Sequence, residues 1–117
     1  MRSLRRKVFN STNVSVVAVN EVYCRVFTDS EHKLVAVCDT HLIGETLREG
    51  KLKLEVRPEF YKGSLSSIAE ALREIDASDI ANLVGKNIVE AAIQEGLVNP
   101  SAILRIAGVP HVQIVRL

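Results

Sequence analysis

Three segments follow one another through the last third of this chain, from Ile80 to Val115. An apolar stretch ends on Gly85, an amphipathic stretch ends on Gly96, and a third apolar stretch is interrupted by Gly-Val-Pro-His before it resumes. That order restricts the region to a strand–helix–strand unit. Lys86–Glu95 reads as a helix because Ile88, Val89, Ala92 and Ile93 form one stripe. Gly96 suits the left-handed position after such a helix, and Leu97 supplies the accompanying apolar contact. Ile80–Val84 is expected as a strand. Ile103–Ala107 and Val112–Val115 are expected as the last two, joined by a turn in which Gly108 and Pro110 hold His111.

Upstream, Val22–Phe27 and Lys33–Cys38 are β-branched runs around a polar Thr28–His32 turn, which reads as a hairpin. Both faces of the second run are apolar, so it should lie centrally and be covered on both sides. Val14–Val19 suggests a further short strand. His41–Gly44 reads as a turn. Leu52, Leu54 and Val56 alternate with charged residues, so Thr46–Arg57 reads as a half-exposed strand with a turn or bulge at Gly50. Pro58–Gly63 is a connector with two rings tucked under the sheet. Ser64–Ile75 is expected to be helical, with Ser67 and Glu70 forming a capping box. These elements predict an α+β fold: a mixed or largely antiparallel sheet with two main helices on one face. Residues 1–12 are expected to be a basic flexible arm, and residues 13–117 a single α+β domain.

Charge narrows the function. Arg2, Arg5, Arg6 and Lys7 precede any acid, so 11 of the 15 Lys and Arg remain against 14 acids, a body of −3. A body of that sign is not the basic face of a strong nucleic-acid binder. Nucleic-acid affinity is therefore assigned to those four arm residues, with a salt-dependent strength. Aromatics are only 4%, which argues against a broad platform of stacking rings. No apolar run approaches the roughly 20 residues of a membrane span, and a cytoplasmic protein is expected. With 2 cysteines there is no disulfide framework, so both are expected as free thiols.

Chemistry could sit in several places. Cys38 and His41, flanked by Asp39, would be a thiolate–imidazole pair if brought together. Cys38 and His41 with His111 also have the residue types of a zinc site, but only one closely spaced pair is present, so no metal and no cofactor are expected. Cys24 and Cys38 are equidistant from the hairpin centre and could face each other. Gly85, at a strand–helix junction, could bind an anion through free N–H groups. Asp39, Gly44, Gly85, Gly108, Pro110, His111 and Gln113 are the candidate binding residues.

Several phrases carry a resemblance. Val35–Asp39, Leu42–Gly44, Arg48–Val56, Phe60-Tyr61, Ala81–Gly85 and Arg105–Arg116 together resemble an archaeal family of small proteins classed as a domain of unknown function. The resemblance spans roughly Val22 to Arg116, and residues 1–21 depart from it. It implies an archaeal, cytosolic protein with a link to translation, the ribosome or RNA. The expected function is thus a non-catalytic binding module acting through Gly108–Gln113 and the Cys38–Gly44 loop. The alternatives are a small enzyme or metal-binding protein using Cys38, His41 and His111, and a protein-interaction subunit or homodimer.

Overall fold

The N-terminal hairpin forms as β1 (Glu21–Thr28) and β2 (Lys33–Asp39) in a computed structural model that describes residues 21–116. The expected arm and the Val14–Val19 strand lie outside the described residues. The Asp29 carboxylate closes the hairpin by accepting the backbone N–H groups of Glu31 and His32 at 2.8 and 2.7 Å. After a 3-10 turn at Thr40–Leu42 come β3 (Thr46–Glu49) and β4 (Leu52–Glu55), then α1 (Pro58–Tyr61) and β5 (Ser64–Ser67). The chain continues through α2 (Ile68–Asp76), β6 (Ile80–Val84), α3 (Lys86–Gln94), β7 (Leu104–Ile106) and β8 (Val109–Val115).

Six strands form one mixed sheet in the order β5-β1-β2-β6-β8-β7, in which only β2 and β6 run parallel. Strand alternation sends Val22, Val35, Val37, Ala81, Leu83 and Val112 to one face, where α2 and α3 cover them with Ile75, Ile88, Val89 and Ala92. Ala36, Cys38 and Val84 point to the other face, beneath Leu42, Val56 and Tyr61. The protein is therefore α+β, with its two main helices on one side of the sheet.

Four local readings are corrected. The span Thr46–Arg57 is not one strand: Gly50, at φ +59°, turns it back so that Leu47 pairs with Leu54. The connector Pro58–Gly63 holds a single helical turn, with proline in its first turn. Ser64–Ser67 is not helical; it is an edge strand paired with β1. Ser67 is itself the extended N-cap of α2, and its capping box with Glu70 fixes the start of the helix there. The last turn falls at Ala107–Gly108, both at positive φ, as a two-residue hairpin loop requires. Pro110 and His111 are therefore strand residues.

The end of α3 forms as the sequence predicts. Gly96 N–H donates to the Ile93 carbonyl and Leu97 N–H to the Ala92 carbonyl, at 3.0 and 2.9 Å, which is a Schellman motif with Gly96 at φ +74°.

Candidate functional site

Asp39 is the least expected feature of the site region. It ends β2, is only 1% exposed, and its two carboxylate oxygens accept the backbone N–H groups of Asn87 and Ile88 at 2.8 and 3.1 Å. It thus caps α3 from 48 residues away in sequence. Gly85, at φ +122°, leaves no room for anything else: a Cβ there would overlap the Asp39 carboxyl group. The anion position suggested by Gly85-Lys86 is therefore filled by the protein's own carboxylate. Asp39 orients a helix and not an imidazole.

The remaining candidates are not brought together. Cys38 is fully buried on the sheet face opposite the main helices, while His41 is exposed in the 3-10 turn. His111 pairs with Val84, which pairs in turn with Cys38, so a strand separates thiol from imidazole. His111 Nδ1 lies 3.0 Å from the Leu83 carbonyl, which can only accept, so Nδ1 carries a proton and donates it there. Among the described residues no three His, Cys, Asp or Glu are placed to hold one metal ion. Cys24 does not face Cys38. It pairs with Val37, one residue out of step, and the two thiols sit in separate cores on opposite faces.

Burial pushes the Cys38 thiol up to about 12, and the neighbouring Asp39 charge adds to the effect. Cys24 rises to about 11, again chiefly by burial. A thiol reagent at about pH 8 should leave Cys38 unmodified in the folded protein and label both cysteines once urea unfolds it. Rapid labelling of native Cys38 would contradict its placement.

What the sheet does present lies farther along the face that carries Cys38. Toward the middle of β6 and β8 this face becomes more exposed. There Asn82 and Gln113 stand directly opposite one another in register, half-buried and exposed respectively. Exposed Arg25 shares that face from β1, its guanidinium 4.8 Å from the centre of the Phe27 ring. Phe27 in turn stacks on Phe60 at 5.4 Å and 21°. Gln113 and His111 were legible as candidates, whereas Asn82, Arg25 and Phe27 were missed. The available signal was an Asn in the middle of Ile-Ala-Asn-Leu-Val and an Arg in the middle of Val-Tyr-Cys-Arg-Val-Phe, where strands disfavour polar residues.

The helical side differs in charge. α2, α3 and the residue that ends α3 carry Glu70, Glu74, Asp76, Glu90 and Glu95 against Arg73 and Lys86, a net −3, with Lys33 of β2 paired to Glu74. Arg116 is engaged by the scaffold: its guanidinium donates to the carbonyls of Ile75, Asp76 and Ser78 at the end of α2.

The molecule is thus an α+β protein with an acidic helical face and a partly open sheet face bearing amides, rings and an arginine. The chain belongs to the family described as Protein of unknown function (DUF424), which matches residues 27–117. Its fold is similar to that of an uncharacterized conserved protein from Methanopyrus kandleri, at a TM-score of 0.69 and 24% identity, covering 83% of this chain and 92% of that one. No curated protein matches the chain. No helix among the described residues is long and apolar enough to cross a membrane.

Proposed function

We propose that this protein is a non-catalytic binding module of the translation or RNA apparatus, and that it takes single-stranded RNA on the open sheet face. The observation that carries this reading is the Asn82–Gln113 pair, two side-chain amides side by side at the surface of a sheet. Amides read the edges of unpaired bases, and aromatic and guanidinium planes stack on their faces. Phe27, Phe60 and Arg25 supply such planes on the same side of the molecule. The acidic helices repel phosphate from the other side, so orientation follows from charge. Arg2, Arg5, Arg6 and Lys7 add sequence-independent attraction to the backbone. The site differs from the expected one in that Asp39, Gly85 and Pro110 support the scaffold, while His111 and Gln113 remain as contacts.

Fluorescence anisotropy with a labelled single-stranded RNA separates the two contributions. Changing both Asn82 and Gln113 to Ala should weaken binding about tenfold, from the loss of two hydrogen-bonding groups, with little change in salt dependence. Deleting residues 1–12 should reduce the slope of log affinity against log salt by about 3, because four cations are lost. A double variant that binds as tightly as the natural chain would place the interface elsewhere.

A further inference from the structure

An open depression of about 360 Å³ lies at one end of the same face, between the β1–β2 loop and β6. Its floor is a single row of side chains, because Phe27 pairs with Leu34 and Leu34 with Ile80. The charges on its rim are already engaged. The Asp29 carboxylate accepts two backbone N–H groups of its own loop. The Lys33 ammonium donates to Glu74 at 2.6 Å on the helical side. What remains is an apolar floor of Phe27, Leu34 and Ile80, with the Phe27 ring held by its stack on Phe60, and the His32 imidazole at the rim.

Those features suit a neutral planar group and offer little to a phosphate. The volume is near the lower end of ligand pockets, about 300 Å³, which is room for one ring system and no more. Ile80 precedes Asn82 by two residues on the same face, a step of about 7 Å along β6. A strand whose base edges meet Asn82 and Gln113 would bring a neighbouring base over the floor.

We propose that this depression is a slot for one unpaired nucleobase of the bound RNA. The inference rests on the RNA reading above and adds where a base is held and by what. Adenosine, added at millimolar concentration to the full chain, is the probe. It should shift the NMR resonances of Phe27, Leu34 and Ile80 and leave those of α2 and α3 in place. Ile80→Glu should abolish those shifts and weaken binding of a single-stranded oligoadenylate about tenfold, the scale of one stacked base. Thermal unfolding of the variant reports whether its fold is kept, and the experiment on the natural chain does not depend on it. If adenosine shifts none of the three residues, the slot is overturned. If the oligoadenylate loses affinity on changing Asn82 and Gln113 but not in a folded Ile80→Glu protein, the slot is overturned and the sheet-face reading stands. An oligoadenylate that does not bind the natural chain at all overturns both.

Discussion

Gly85→Ala is expected to cost about 3–5 kcal/mol of folding stability, measured by urea unfolding. Two effects add at this residue. Its φ of +122° lies where only glycine is relaxed, and a Cβ would overlap the Asp39 carboxyl group. Relief requires Asp39 to move, which takes the acceptor away from the N–H groups of Asn87 and Ile88. Gly96→Ala is the matched control. It sits at φ +74° with nothing within 4 Å, so only the backbone cost of about 1 kcal/mol applies. Equal losses at the two glycines would show that the Asp39 contact contributes nothing.

Asp39→Ala should cost about 2–4 kcal/mol, because it strands two helix N-terminal donors in a dry site. Its pH dependence is more telling. Burial raises the Asp39 pKa, outweighing the two backbone N–H groups and the His41 charge that lower it, with Glu90 raising it slightly. The folded protein therefore holds this proton more tightly than the unfolded chain. The resulting stability is full below the ordinary carboxylate pKa and is lost as pH rises through the folded value. Asp39→Asn cannot titrate, and the other carboxylates are common to both proteins. The stability advantage of the natural chain over Asp39→Asn should accordingly be greatest in acid and shrink as pH rises above the ordinary carboxylate range. An advantage that grows with pH would mean that the helix N–H donors outweigh burial.

The sheet was legible where an apolar run ended at a clear break, whether the polar Thr28–His32 turn or the glycines at Gly85 and Gly96. The β1–β2 hairpin, β6 and α3 with its Gly96 ending all appear where the residues place them. Legibility failed where short-range chemistry allowed two outcomes. Ser64 and Ser67 are both plausible caps, and only pairing of Ser64–Ser67 with β1 decides that the helix starts at Ile68. Pro110 invited a turn, yet Ala107 accepts a left-handed backbone at φ +53° and the hairpin closes one step earlier. The role of Asp39 depends on the parallel pairing of β2 with β6, which brings its carboxylate to a helix 48 residues on. No local pattern encodes that contact. The candidate site suffers similarly, since Arg25, Asn82 and Gln113 come from three strands that only the sheet order assembles on one face.

Where RNA touches the protein can be read directly by photo-crosslinking a 4-thiouridine-containing single strand to the full chain and identifying the modified peptides. Crosslinks should concentrate on β6 and β8, around Asn82, His111 and Gln113, and on the Arg25–Phe27 segment of β1, with α2 and α3 unmarked. Crosslinks confined to residues 1–12, or found on the acidic helices, would contradict the sheet face as the binding surface.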